Sequence, residues 1–156
     1  MEAVVPQHPP AEPELTTAAL RAMELAGDEA RALYHSFLGT EHLVIGVARQ
    51  AEEDGRHTAL DPAPHLLRRE AVRIIPPGRD PLEQPPIPTR RVRAVLRTAR
   101  AEATRCGHPH VGVHHLVLGL TSVGGGVAHE MLRRLDVDAT GVRERAFLLL
   151  TEDRAA

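Results

Sequence analysis

The chain has 156 residues, a formal net charge of −2, ten histidines, one cysteine, one Tyr, two Phe and no Trp. The near-neutral balance argues against a general nucleic-acid binder held by phosphate neutralisation, and so few aromatic rings leave no platform for stacking bases. Cys106 cannot close an internal disulfide, no Cys-x-x-Cys pair suggests structural zinc, and neither a signal peptide nor an apolar run of roughly 18 to 20 residues is present. A reducing cytoplasm is therefore the expected compartment, with no membrane partner. The cations other than histidine are all arginine.

Residues 1–14, with Pro6, Pro9, Pro10 and Pro13, read as a disordered tail. A first unit follows over 15–75. Thr16 stands just before a long amphipathic helix whose apolar stripe is Ala19, Ala22, Met23, Ala26, Ala30 and Leu33. Thr40 to about Arg49 reads as a shorter and more apolar second helix. Its periodicity fits a buried strand equally well, and the flanking helices tip the reading toward helix. A short polar third helix around Asp54 to Leu60 and a fourth carrying Leu67-Arg68 complete the unit. Residues 76–88, with Pro76, Pro77, Pro81, Pro85, Pro86 and Pro88, form a linker too rich in proline for helix.

The second unit, 89–150, repeats the first. Glu29-Ala30, His35, Gly39, His42-Leu43-Val44 and Gly46 reappear as Glu102-Ala103, His108, Gly112, His115-Leu116-Val117 and Gly119, at a constant offset of 73 (112 − 39). The first stripe maps at that offset onto Val92, Val95, Leu96, Ala99, Ala103 and Cys106, and Thr16 maps onto Thr89. Val113 to about Thr121 matches the second helix. Val127, Met131 and Leu135 mark a third that starts through Gly124-Gly125-Gly126, and Val142, Ala146 and Leu149 mark a fourth. Leu60-Asp61 and Leu67-Arg68 resemble Leu135-Asp136 and Val142-Arg143 at an offset of 75 (135 − 60), so two residues are missing from the first copy before that point. Residues 151–156 are a tail. The expected fold is all-α, built from two tandem, pseudo-symmetric four-helix repeats that form one domain.

Leu38-Gly39-Thr40-Glu41-His42-Leu43-Val44-Ile45-Gly46-Val47 and Val111-Gly112-Val113-His114-His115-Leu116-Val117-Leu118-Gly119-Leu120 resemble the Gly-Thr-Glu-His-(apolar)₃-Gly-(apolar) signature of the Clp N-terminal repeat. The resemblance covers about residues 15 to 150 and extends to Gly126-Val127-Ala128 and Leu132-Arg133-Arg134-Leu135. It implies the substrate-receiving domain of the C-type Clp unfoldases, which takes adaptors and substrates, including proteins marked by phosphorylated arginine. No Gly-x-x-x-x-Gly-Lys-[Ser/Thr] occurs, and without lysine none can, so no ATP cradle or other cofactor is expected.

In that family a threonine at the start of the first helix and the glutamate of the signature contribute to a phosphoarginine pocket in each repeat. Carried over, the first pocket is Thr16 and Glu41: a carboxylate takes the guanidinium fork, while a hydroxyl and free N–H groups at a helix start suit phosphoryl oxygens. The basic residue usual two positions after that threonine is here Ala18. The second, degenerate pocket is Thr89, Arg91 and His114. There Val113-His114 replaces Thr-Glu, and an imidazole cannot accept a guanidinium fork as a carboxylate does.

His35, His42, His108 and His115 are repeat-matched, as expected of structural hydrogen bonds at helix ends. His110 and His114 are not, yet no carboxylate is spaced as on a metalloprotease helix, so no metal is expected. Cys106, on a core stripe, is expected to pack rather than react. Arg90, Arg91, Arg93, Arg97, Arg100 and Arg105 crowd one helix and could meet acidic partners or nucleic acid. These features lead to a non-enzymatic module that binds peptides, arginine-marked proteins or cyclic-peptide ligands, as adaptor, competitor or decoy for a Clp protease system. The alternative is a helical nucleic-acid-binding regulator using the Arg90–Arg105 face.

Overall fold

The structure is a computed structural model that describes residues 11–56 and 58–155, without the side chains of 153–155. Most of the expected N-terminal tail, residues 1–10, lies outside the described residues, as does His57. Among the described residues there are seven helices: α1 Thr17–Ala32, α2 Thr40–Asp54, α3 Pro64–Ile74, α4 Arg90–Arg105, α5 Val113–Ser122, α6 Gly126–Arg134 and α7 Ala139–Ala155. Four two-residue strands mark turns between them: β1 Glu14–Leu15, β2 Phe37–Leu38, β3 Ile87–Pro88 and β4 His110–Val111. The architecture is the all-α double repeat that the sequence implies, and the ambiguous apolar segments are helices.

The two copies agree residue for residue over their first halves. α1 and α4 are both 16 residues long, and each is capped by a threonine: the Thr16 hydroxyl accepts Ala19 N–H at 3.1 Å and the Thr89 hydroxyl accepts Val92 N–H at 3.2 Å. Each is followed by an apolar helix that crosses it closely. A Cβ on Gly46 would lie 2.3 Å from Ala22 O, and one on Gly119 would lie 2.5 Å from Val95 O, so both contacts require glycine. α2 and α5 bring Leu43, Val44, Ile45, Val47, Leu116, Val117 and Leu118 to complete burial in one core shared by both copies.

The second halves differ. α2 runs on to Asp54 and stops at Gly55, whose φ of 60° closes the helix in the left-handed conformation. The short helix expected around Asp54 to Leu60 does not form: residues 55, 56 and 58–60 are turn, bend or irregular, and the sequence there is polar. α3 instead corresponds to α7. Arg68 on α3 ion-pairs with buried Glu29 on α1, and Arg143 on α7 ion-pairs with Glu102 on α4 at 3.3 Å, which is the same bridge built twice. α6 therefore has no counterpart in the first repeat. It packs instead against α2 and α3 of that repeat.

Each apolar helix starts with a histidine that closes its first turn. Gly39 N–H donates to His42 Nδ1 at 2.9 Å, and Gly112 N–H donates to His115 Nδ1 at the same distance, a capping-box geometry with imidazole in place of Glu or Gln. This fixes the tautomer, so His42 Nε2–H donates to His35 Nδ1 at 2.9 Å and His115 Nε2–H donates to His108 Nδ1 at 2.8 Å. In the first copy His35 Nε2–H continues to Pro76 O at 2.9 Å. Burial, then the neighbouring histidine, holds His42 and His115 down at about 4.

Two expectations follow. Gly46→Ala drives a methyl into the α1 backbone and should lower the unfolding free energy by about 1–3 kcal/mol, whereas Gly124→Ala, where a Cβ meets nothing within 4 Å, should change it by less than about 0.5 kcal/mol. Urea titration distinguishes them. The unfolded histidines take up protons near 6.5 and the folded ones near 4, so stability is full above pH 6.5 and is lost as pH falls between those values, by up to roughly 3 kcal/mol per ring. Glu41, whose carboxyl burial raises, works in the opposite sense and offsets part of the loss. His115→Gln, which can keep the cap, should flatten the fall of melting temperature between pH 6.5 and 4; an unchanged slope would contradict the linkage.

Candidate functional site

The helix starts that carry the candidate residues are exchanged between the repeats. β1 pairs in parallel with β4, placing Leu15 opposite Val111, and Thr16 N–H donates to Val111 O at 2.9 Å. β2 pairs in parallel with β3, placing Leu38 opposite Pro88, and Thr89 N–H donates to Leu38 O at 3.0 Å. The start of α1 therefore lies beside the start of α5, and the start of α4 beside the start of α2. The sequence grouping set Thr16 with Glu41 and Thr89 and Arg91 with His114, each within one repeat, whereas the ladders set helix starts of different repeats side by side. Thr16 shares a cavity with His114, while Thr89 and Arg91 belong with the Gly39–Glu41 turn.

At the Thr89 crossing the Glu41 side chain folds back over its own helix start: a Cβ on Gly39 would sit 2.3 Å from Glu41 Oε2. The carboxylate is 2% exposed, and among the described residues its Oε1 has no hydrogen-bond partner. Burial raises its proton affinity, tempered by a hydrogen bond from its own backbone and by His35. Next to it the Thr40 hydroxyl accepts Ala128 N–H at 3.2 Å, so a side chain of the first repeat caps α6 of the second. The triple glycine is the start of α6, with Gly125 and Gly126 at φ of 77° and 82°. Arg91 lies across it, donating from Nη1 to Gly124 O at 2.6 Å. The Thr89 hydroxyl accepts one N–H and keeps its own proton for a ligand oxygen. The Glu41 turn, the Thr89 cap and Arg91 at the α6 start are thus tied together through the β2–β3 ladder and the Thr40–Ala128 bond.

The pseudo-symmetric place is open. Ala18 stands where the other crossing has Arg91, His114 where it has Glu41, and no third helix covers the first repeat. The result is a cavity of about 430 Å³ whose lining includes Thr16, Ala18, Gln50, Asp54, Arg56 and His114. Gln50 Nε2 donates to Asp54 Oδ2 at its rim. His114 is half-buried.

Sequence reasoning missed two participants. Thr40 reads as a cap for its own helix, yet it serves α6; its replacement by Val113 in the copy without an opposing third helix was the available signal. The cavity residues from Gln50 to Arg56 were hidden because the expected helix would have covered them. His35, Glu41 and His42 have ligand atoms within 4.8 Å of one another, but the four ring nitrogens are each engaged in the relay from Gly39 N–H to Pro76 O, which a cation would have to break. Cys106 is half-buried at the end of α4. No helix of the described residues is long and apolar enough to cross a membrane.

Comparison with known proteins agrees with the fold. The family model described as the Clp repeat (R) N-terminal domain matches residues 2–60 and 87–153. The negative regulator of genetic competence ClpC/MecB of Bacillus subtilis is 32% identical over 137 residues, which is 86% of this chain and 17% of that protein, so the chain spans only a small part of its relative's length. Among solved structures, the N-terminal domain of the caseinolytic protease associated chaperone ClpD from Arabidopsis thaliana superposes with a TM-score of 0.76 at 19% identity, covering 88% of this chain and 95% of that one. The Hsp104 N-terminal domain from Candida albicans gives 0.68 at 15% identity, covering 87% and 91%. With the duplicated Gly-x-x-His helix start, the exchanged turns and a family match over both halves, this chain belongs to the Clp repeat N-terminal domain family.

Proposed function

We infer that this chain is a non-enzymatic protein-binding module, similar to the domain with which Clp unfoldases receive substrates and adaptors, and that it serves a cytoplasmic Clp protease system as adaptor, competitor or decoy. Residues 15–75 and 89–150, joined by 76–88, act as one binding unit, because each crossing needs a helix start from both. Its first ligand is an arginine-marked segment bound at Glu41, Thr89 and Arg91. The observation that carries this reading is the buried Glu41 carboxylate, whose Oε1 has no hydrogen-bond partner among the described residues, with His42 Nδ1 no nearer than 3.6 Å. A guanidinium would supply the missing donors, and the Thr89 hydroxyl with Arg91 would meet a phosphoryl group. The roomier Thr16–His114 cavity lacks a carboxylate in the Glu41 position and suits a bulkier, less charged group, such as a peptide side chain or a cyclic peptide.

Calorimetric titration with phosphoarginine tests the first site. Glu41→Gln and Thr89→Ala should each weaken binding by at least about tenfold, and Thr16→Ala should leave it unchanged. Equal heats from all four proteins would remove the site. Loss in Thr16→Ala with retention in Thr89→Ala would restore the grouping by repeat.

A further inference from the structure

The arginine run on α4 resolves into two kinds of side chain. Arg91 lies against the α6 start with Nη1 donating to the Gly124 carbonyl and belongs to the Glu41 crossing, and Arg105 pairs with Glu102 and lies over the Phe147 ring at 5.6 Å. Arg90, Arg93 and Arg97 are exposed and have no carboxylate against them among the described residues. Arg100 has only Glu12, at 3.8 Å. Elsewhere most arginines sit against a carboxylate, including Arg21 on Glu53, Arg68 on Glu29 and Arg145 on Asp61. Arg90, Arg93 and Arg97, without a carboxylate partner among the described residues, thus form with Arg100 one stripe at helical spacing over about 15 Å.

We propose that this stripe is a docking surface for an extended acidic segment of a protein partner. A carboxylate-bearing stretch already lies at its end. Residues 11–14 carry Glu12 and Glu14, and with Arg97, Arg100 and His110 they wall a groove beside α4. Glu12 is 81% exposed and touches Arg100 only at its edge, so it shows the chemistry the stripe accepts without occupying it. The spacing suits such a ligand, since arginines three or four residues apart advance about 4.5–6 Å along the axis and alternate residues of an extended peptide advance about 6.7 Å. The planar guanidinium takes carboxylates in pairs of hydrogen bonds. Nucleic acid fits less well. Four arginines on one short stripe would meet only a few phosphates.

Arg90 adjoins the Thr89 and Arg91 of the Glu41 crossing, whereas Arg93 and Arg97 lie about one and two turns beyond Thr89 along α4, so the test is placed on those two. Fluorescence anisotropy would follow a labelled peptide of alternating Glu and Ala, its Gln counterpart, and a short DNA duplex. The Glu peptide should bind with an affinity that falls at least about tenfold between about 50 and about 300 mM NaCl, and the Gln peptide should not bind measurably. Arg93→Ala with Arg97→Ala should weaken the Glu peptide by about tenfold or more, with unchanged helix content because both side chains are exposed. Arg31→Ala with Arg133→Ala, which removes arginines already paired on other faces, should have no effect. Equal peptide binding by wild type and the α4 double variant would overturn the proposal. So would duplex binding tighter than peptide binding and lost in that variant, which would assign the face to nucleic acid.

Discussion

Two residues of parallel pairing tie the start of α1 to the start of α5, and two more tie the start of α4 to the start of α2. These short ladders are small in area, yet they dictate which side chains can meet. A helix start offers free N–H groups and a favourable dipole end, and here two such starts face each other at each crossing. Whatever binds there contacts both repeats at once. The buried core behind the ladders, with Gly46 and Gly119 allowing α2 and α5 to press against the backbones of α1 and α4, holds the crossings in place.

The two crossings share a backbone and differ in filling. One has Glu41 folded over Gly39, Arg91 laid across the α6 start, and Thr40 capping that helix from the other repeat. The other has Ala18, Val113 and His114, and no helix above them, so a cavity remains. A buried carboxylate oxygen with no hydrogen-bond partner among the described residues, as Glu41 Oε1 is, carries a desolvation cost that its surroundings do not offset. The same burial raises its proton affinity, so a bound guanidinium would also favour its ionised form.

Much of the fold was legible because the chain states its plan twice. The offset of 73 placed Thr16 with Thr89, Gly46 with Gly119 and His42 with His115, and each pair does the same physical work in the structure. The change of offset to 75 marked the place where the copies part company, and there the expected helix around Asp54 to Leu60 gives way to α2 continuing to Asp54 and stopping at Gly55. A polar segment of that length has too little apolar surface to hold a separate helix against the core. What periodicity could not carry was the exchange of turns. Spacing along a chain fixes neighbours within a repeat, whereas the pairing of Leu15 with Val111 and of Leu38 with Pro88 is a long-range contact with no local signature. The arginine run was visible as a run, but its division into committed and uncommitted side chains depends on Gly124, Glu102 and Phe147, which only the folded chain brings near.

Because every crossing borrows half of its wall from the other copy, a single unit standing alone would have no site. Two identical units related by a twofold axis would have a matched pair of them. Covalent linkage releases that symmetry. Once the halves are one polypeptide, alanine at position 18 can stand opposite arginine at position 91, so one crossing changes while its twin is left untouched and the two diverge independently.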